Sequence, residues 1–170
     1  MAVPPDHDRV TPDEPRLPVL TGRAWTFADR LHASDILPER FMALPAHEAA
    51  AHLFRDLDPT LAGEFTAGDV LVAGHQLGAG ASGAAAAHAL AAAGFVAVVA
   101  GSFAAAFDDA LLAASVPPLE VDAPATFHTG QRLRLNLEAG TVANLSSGDR
   151  QPIRNLTDAL LARLRGAIGR

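Results

Sequence analysis

The chain has 170 residues, a formal net charge of −6, no cysteine and no lysine. The absence of cysteine excludes disulfides and thiolate ligands to a metal or cluster, and the acidic balance argues against a nucleic-acid-binding surface. No apolar run approaches the length of a membrane span, and the chain does not begin with a signal-peptide pattern. We therefore expect one cytoplasmic domain with its own core.

The first part of the chain predicts an arm, a strand and a loop. Residues 1–20 are rich in proline and charge, so we expect a flexible N-terminal arm ahead of a domain spanning residues 21–170. Gly22–Phe27 alternates as a strand does. Asp29–Leu44 is predicted to be a long loop whose apolar residues need cover from elsewhere, with a partner protein as one source.

Ala46–Leu57 predicts a helix that stops at Asp58-Pro59. Its buried face is expected to carry Ala49, Leu53, Phe54 and Leu57. The helix also carries His47 and His52, but histidines five positions apart point about 140° apart on a helix. Metalloprotease helices instead space their two histidines four apart. We interpret both as surface histidines and predict no metal site.

The centre of the chain, Asp69–Ala100, predicts a βαβ unit. A strand at Val70–Ala73 leads into a glycine loop at Gly74–Gly83, then into an alanine-rich helix ending at Gly94 and a second strand at Phe95–Val99. Such a unit implies two parallel strands with a right-handed crossover.

The remaining elements complete one α/β domain with a mixed sheet. They are a helix at Ser102–Ala114 with Ser102 as N-cap, strands at Leu119–Val121, Arg132–Leu137 and Thr141–Leu145, and a closing helix at Leu156–Ile168 with Leu160, Leu161, Leu164 and Ile168 inward.

The glycine loop admits a structural and a functional interpretation. Gly78, Gly80 and Gly83 match the spacing of a dinucleotide-binding motif, but no acidic residue ends the second strand to hold a ribose. No lysine follows the glycines, as a phosphate-binding P-loop requires. The glycines either permit only a tight turn and a helix start, or they bring backbone N–H groups close to a carboxylate or phosphate oxygen. We favour a binding site.

From Gly22 to Leu164 the sequence resembles the small subunit of 3-isopropylmalate dehydratase, the detached swivelling domain of the aconitase superfamily. Five segments that carry the resemblance are Ile36-Leu37-Pro38, His52–Pro59, Gly68–Gly74, Ser102–Phe107 and Leu137–Gly148. The resemblance implies a β/β/α fold. It also implies that the domain closes over a large subunit whose four-iron, four-sulfur cluster is used to dehydrate and rehydrate a malate-type acid. This chain itself is expected to bind no cofactor.

The active-site loop of this family reads G-C-G-S-S-R-E-H. Its catalytic base, the first serine, falls on Ala81, and its carboxylate-binding arginine falls on Gly83. The following glutamate and histidine fall on Ala84 and Ala85, and a later arginine falls on Ala105. Alanine cannot accept a proton, and loss of a bidentate arginine removes the geometry that holds a carboxylate. The loop is therefore degenerate with respect to the family reaction.

The polar groups left near this loop define the candidate site. Ser82, next to the base position, and His75, because histidine is the side chain best suited to proton transfer near neutral pH, are the candidate catalytic residues. Ser82 is equally interpretable as a helix cap, and His75 as a solvent-exposed loop residue. The candidate substrate-binding residues are Gln76, Gly78, Ala79, Gly80, Ala81 and Gly83 in the loop, and Arg40, Phe41 and Met42 in the segment that resembles the family's substrate-selecting segment.

Two functions of different classes follow. The first is a diverged small subunit of an aconitase-type hydro-lyase or isomerase that completes an active site with a cluster-bearing large subunit and acts on a non-standard substrate. The second is a catalytically inactive structural or regulatory subunit that keeps the swivel fold and the partner interface. A standalone binding domain is the least favoured, because the apolar loop at Asp29–Leu44 calls for a protein surface.

Overall fold

The computed structural model describes residues 17–61 and 63–168, with the last two described by backbone alone. Residues 1–16 of the predicted arm, and the inward side chain predicted at Ile168, therefore lie outside the described residues. Leu17 is buried, and its N–H donates to Glu138 Oε1 at 2.9 Å. No helix in the described ranges is long and apolar enough to cross a bilayer.

A seven-stranded mixed sheet forms the centre of the molecule, with the order β4-β3-β2-β1-β5-β6-β7. The strands are β1 (Val19–Thr26), β2 (Val70–Ala73), β3 (Ala97–Ala100), β4 (Pro118–Glu120), β5 (Arg132–Asn136), β6 (Thr141–Asn144) and β7 (Arg150–Pro152). Strands β1 to β4 are parallel, and β5, β6 and β7 continue the sheet in antiparallel fashion from β1. The predicted mixed sheet is confirmed, and β7 is an addition.

Five α-helices accompany the sheet in the described ranges. They are α1 (Ala33–Ile36), α2 (Ala46–Ala49), α3 (Gly83–Ala92), α4 (Phe107–Ala113) and α5 (Asp158–Ile168). The β2-α3-β3 succession is the predicted βαβ unit, with Val70 opposite Ala97 in parallel register. Leu160 and Leu161 pack against the core and Leu164 is buried, as predicted for α5.

The sheet separates two hydrophobic clusters. Leu71 belongs to the cluster that includes residues of α3 and α4, whereas Val70 and Val72 belong to the cluster beneath β5 and β6. Both faces of β2 are therefore buried, which explains why its sequence is apolar at every position instead of alternating.

The chain after β7 curls back to cover the free edge of β4. The Arg154 N–H donates to the Glu120 carbonyl at 2.7 Å. Asn155 accepts from the Glu120 N–H and donates to the Pro118 carbonyl. Edge strands with unpaired backbone groups invite unwanted pairing, and this covering segment satisfies those groups from within the chain.

The prediction of an irregular loop at Asp29–Leu44 is wrong in part, because the segment contains α1 and a 3₁₀ turn at Glu39–Phe41. Most of its larger apolar side chains also need no partner, and Met42, which is 36% exposed, is the exception. Leu31, Ile36 and Leu37 are buried in the first cluster by the chain itself. The argument against a standalone domain that rested on this loop is therefore removed.

The predicted helix at Ala46–Leu57 is too long. Helix α2 ends at Ala49 and a 3₁₀ turn follows to His52, after which Leu53 is extended and Phe54 adopts a φ of +59°. The break lets Leu53 and Phe54 enter the core, where the Phe54 N–H donates to the Ile36 carbonyl at 2.7 Å. Leu57 is 48% exposed and does not share the buried face.

The prediction of a helix capped by Ser102 is also wrong. Helix α4 begins only at Phe107, after Ala106 with a φ of +72°. Residues 101–104 instead run beside the glycine loop, with a parallel bridge between Leu77 and Phe103. The other predicted boundaries differ from the observed ones by a few residues, including β1, which begins at Val19 inside the predicted arm.

Candidate functional site

Three loops meet at one edge of the sheet because they follow the carboxyl ends of three adjacent parallel strands. The segment 27–32 follows β1, the glycine loop at 74–82 follows β2, and the segment 101–106 follows β3. This edge is where open α/β sheets place their ligand sites.

The glycine loop lies between the segments that follow β1 and β3 and forms backbone hydrogen bonds with both. On one side the Gly78 N–H donates to the Leu31 carbonyl at 2.8 Å, and the Ala33 N–H donates to the Ala79 carbonyl at 2.8 Å. On the other side the Leu77 N–H donates to the Ser102 carbonyl at 3.1 Å. The first half of the loop is thus fixed by backbone pairing.

Two features set the path of the loop at Gln76 and Gly78. Gln76 has a φ of +57°, and its N–H donates to Ser102 Oγ at 2.9 Å. Gly78 has a φ of +92°, and a Cβ at this position would lie 2.2 Å from the buried ring of Phe107. Gly78 is therefore required by the fold, whatever it contributes to binding.

The tip of the loop presents unsatisfied backbone donors. The N–H groups of Ala79, Gly80, Ala81 and Ser82, and those of Ala84 and Ala85 in the first turn of α3, make no hydrogen bond within residues 17–61 and 63–168. Gly80, Ala81 and Ala84 are exposed. Unpaired N–H groups at the start of a helix attract anions through their local dipoles and the helix dipole. We call this group of six N–H groups the amide cradle.

Ser82 lies beneath the amide cradle and has no exposed surface. Its Oγ is buried and has no hydrogen-bond partner in the described part of the chain, and it does not cap α3. A catalytic role for Ser82 stays a prediction, and the geometry gives its hydroxyl no open path from solvent. A buried hydroxyl without a partner costs free energy, which marks this as an unusual position.

His75 lies in a different place, in an open cleft of about 420 Å³ at the carboxyl ends of β1 and β2. The cleft is also lined by Asp29, Asp122 and His128, together with apolar groups that include Phe127. The structure therefore separates the two predicted catalytic side chains, because Ser82 does not line this cleft. Sequence reasoning missed Asp122 and His128, since the residues come from separate loops and no local motif links them.

The segment with Arg40, Phe41 and Met42 is engaged in contacts of its own. The guanidinium of Arg40 donates two hydrogen bonds to the Asp56 carboxylate at 2.7 and 2.6 Å, and these bonds hold the pKa of Asp56 below its ordinary value. Phe41 stacks on His52 with ring centroids 3.9 Å apart. Only Met42, 36% exposed, presents a free apolar side chain. A substrate-binding role for this segment stays a prediction.

The residues of this chain do not fit an iron–sulfur cluster. The chain has no cysteine, and the described residues contain no group of three or more histidine, aspartate or glutamate side chains arranged to hold a metal ion. His47 is exposed as predicted. The interpretation of His52 as a surface histidine is wrong, because its ring is stacked on Phe41 and its Nδ1 is buried.

Comparisons with known proteins agree with this architecture. A family model described as the aconitase C-terminal domain matches residues 63–124. The 3-isopropylmalate dehydratase small subunit 1 of Methanopyrus kandleri is 35% identical over 148 residues, which are 84% of this chain and 85% of that protein. The methanogen homoaconitase small subunit of Methanothermobacter thermautotrophicus is 31% identical over 147 residues, which are 85% of this chain and 84% of that protein.

Solved structures share the fold. A 3-isopropylmalate dehydratase from Methanocaldococcus jannaschii superposes with a TM-score of 0.82 at 23% identity, covering 88% of this chain and 89% of that one. Aconitase X from Thermococcus kodakaraensis gives a TM-score of 0.52 at 13% identity, covering 82% of this chain and 93% of that one. The swivel-like fold expected from the resemblance is confirmed. With its sequence relatives above 30% identity over most of its length, the chain belongs to the 3-isopropylmalate dehydratase small-subunit family.

Proposed function

We propose that this chain is the small subunit of an aconitase-type hydro-lyase, that it closes the active site of a large subunit carrying a four-iron, four-sulfur cluster, and that it acts on a non-standard hydroxy acid. Family membership supports the first part. The observation that carries the proposal is the amide cradle, which is exposed at its tip and stands on a loop fixed by backbone pairing.

The amide cradle offers a way to hold a carboxylate without the family's arginine. Position 83 is a buried glycine, so this chain has no guanidinium there to form a bidentate pair. Unpaired N–H groups next to the amino terminus of a ten-residue helix donate charge-assisted hydrogen bonds to an oxygen anion, the same type of bond that a guanidinium donates. They bind an anion but impose less planar geometry than arginine does, which suits a changed substrate.

Proton transfer requires a replacement for the base that the family places at position 81. Ala81 cannot accept a proton, and a positioned acid or base typically contributes about 10² to 10⁴ in rate. His75 in the neighbouring cleft is the accessible candidate, since Ser82 is enclosed. We assign His75 to proton transfer and the amide cradle to binding the carboxylate.

The second candidate is a structural or regulatory subunit without catalysis. It is favoured by the small side chains at Ala81, Ala84 and Ala105, all exposed at the edge where the family places a base, an acid and an arginine. In this case the fold and the partner interface are retained while the side-chain chemistry is absent.

One experiment separates the two. The chain is co-expressed with the large subunit encoded beside it, the cluster is loaded anaerobically, and isopropylmalate and its neutral and decarboxylated analogues are assayed with wild type, His75→Ala and Ser82→Ala. Turnover that His75→Ala abolishes supports the enzyme. A stable complex that turns over none of these acids favours the structural subunit, and failure to form any complex contradicts both.

A restoring variant adds a sharper comparison. Ala81→Ser with Gly83→Arg returns the family's base and carboxylate-binding side chain, and a Cβ at position 83 meets only ordinary contacts, 3.5 Å from Phe107. Restored turnover of isopropylmalate by this double variant, with none by wild type, would show that the loop was altered for a different substrate or role on an otherwise competent fold.

A further inference from the structure

The imidazole of His75 rests on the backbone of Gly101, at the end of β3. A Cβ built on Gly101 would lie 2.6 Å from both Cε1 and Nδ1 of His75 and 3.0 Å from its Nε2. The φ of Gly101 is not positive, so the backbone conformation does not itself require glycine. The three atoms nearest to an added Cβ all belong to the His75 ring, so the space that the ring occupies favours glycine at this position.

The backbone of His75 is fixed independently of its ring. The His75 N–H donates to Asp29 Oδ1 at 2.8 Å, and its carbonyl accepts from the Arg30 N–H at 2.8 Å. The adjoining Gly74 lies so close to Asp29 that a Cβ there would overlap the carboxylate. The main chain of His75 therefore contacts the loop that follows β1, and its ring contacts the loop that follows β3.

We propose that Gly101 and Asp29 are positioning residues for His75: Asp29 fixes the main chain where the loop begins, and the bare Cα of Gly101 forms the seat that holds the imidazole in the cleft. This inference rests on the proposed function only in assigning His75 to proton transfer. The contact between the His75 ring and Gly101 is a geometric claim, and it can be tested without measuring turnover.

The choice of variant follows from what the new atom would meet. In Gly101→Ala the atoms nearest to the added methyl group are those of the His75 ring, at the far end of a flexible side chain, so we expect the ring to be displaced and the fold to be kept. The matched control is Gly166→Ala in α5, where a Cβ meets nothing within 4 Å. Both variants add one methyl group to a glycine without positive φ.

The structural test uses proton NMR of the isolated chain. In wild type we expect a nuclear Overhauser contact between the His75 ring protons and the Gly101 α-protons. Gly101→Ala should shift the His75 ring resonances, and Gly166→Ala should leave them unchanged. Absence of the wild-type contact, or His75 ring resonances that Gly101→Ala does not shift, would contradict the proposal that Gly101 positions the His75 ring.

The functional test uses the complex with the large subunit. Since misplacement of a reacting group by about 1 Å costs roughly 10² in rate, Gly101→Ala should lower kcat about a hundredfold with little change in KM. Adding Gly101→Ala to His75→Ala should cause no further loss, because both changes act through one group. Asp29→Asn, which keeps an acceptor oxygen, should retain more activity than Asp29→Ala.

The outcomes distinguish the two proposals. If His75→Ala leaves turnover intact while the NMR contact is present, the assigned role of His75 fails and the seat stands. If His75→Ala is inactive but Gly101→Ala is fully active, the seat fails and the role of His75 stands.

Discussion

The polar groups at the two ends of β2 differ: those just before the strand are paired within the protein, and several of those just after it are not. Just before the strand, Asp69 is 3% exposed and accepts hydrogen bonds from the Thr66 N–H and hydroxyl, from Trp25 Nε1 and from Arg23. Just after it, the glycine loop and the first turn of α3 together leave six N–H groups and one buried hydroxyl without partners in the described ranges.

This difference in hydrogen bonding distinguishes the end of β2 that stabilises the fold from the end that is available to a ligand. Buried polar groups in a folded protein are nearly always paired, so a fully satisfied carboxylate needs no ligand. Backbone donors left unpaired at the exposed start of a helix are instead available to an anion, because no acceptor within the described residues competes for them. The amino end of β2 is therefore interpreted as a structural anchor, and the carboxyl end as the site.

The largest expected effect is at the anchor. Asp69→Ala removes the acceptor for Trp25, Thr66 and Arg23 at once, and we expect a loss of about 3 kcal/mol in the free energy of unfolding. His75→Ala at the other end should change it by less than about 0.5 kcal/mol. Urea denaturation of both variants measures this, and equal losses would remove the distinction between anchor and site.

The next effect is on binding at the amide cradle. Ala81→Asp places a carboxylate beside the unpaired N–H groups, where it competes with and repels the substrate carboxylate, so KM should rise roughly tenfold from a Coulomb cost of about 1 to 2 kcal/mol. Ala81→Asn is the isosteric control and should change KM much less. An equal rise in both variants would indicate a steric effect and argue against anion binding.

Ser82→Ala tests the unpartnered hydroxyl. Because its Oγ makes no hydrogen bond with any described residue, its removal breaks no contact, and we expect the unfolding free energy to stay constant or to rise by up to about 1 kcal/mol. A loss of more than about 1 kcal/mol in thermal or urea unfolding would mean that the hydroxyl has a stabilising partner.

The smallest effect is the pH dependence of the anchor. Burial works against ionisation of Asp69, but the hydrogen bonds from Thr66, Trp25 and Arg23 outweigh it and lower its pKa. The ionised carboxylate therefore stabilises the fold at pH values above the ordinary aspartate pKa of about 3.9. This contribution is lost as the pH falls through the lowered pKa of the folded state. Asp69→Asn should flatten the fall in urea-unfolding stability between about pH 4 and pH 2, and an unchanged slope would contradict this cause.

Much of the fold could be predicted because its strands carry local patterns. The apolar run Val70–Ala73 and the alternation in Arg132–Asn136 specify strands by themselves, and the resemblance implies the β/β/α fold. The break at Leu53 and Phe54 could not be predicted, because their helical spacing is overridden by the burial that an extended path gives them. The edge strand β7 is short and polar, and it lacks any such signal.

The candidate site was predictable only in part. The glycine loop follows from its glycine spacing between a strand and a helix, and the residues that it lacks follow from the resemblance to the family's active-site loop. The sequence does not indicate that Ser82 is enclosed, nor that Asp122, His128 and His75 line one cleft, because these depend on how three loops pack at one sheet edge. The seat at Gly101 carries no sequence signal at all.

The most direct test of the central claim is the amide spectrum of the loop in the assembled enzyme. With the small subunit labelled with ¹⁵N and the large subunit deuterated, a hydroxy acid that is turned over should shift the N–H resonances of Ala79, Gly80, Ala81 and Ala84, while those of Thr66 and Asp69 stay in place. Turnover of an acid that leaves these four resonances unmoved would contradict a carboxylate-binding amide cradle.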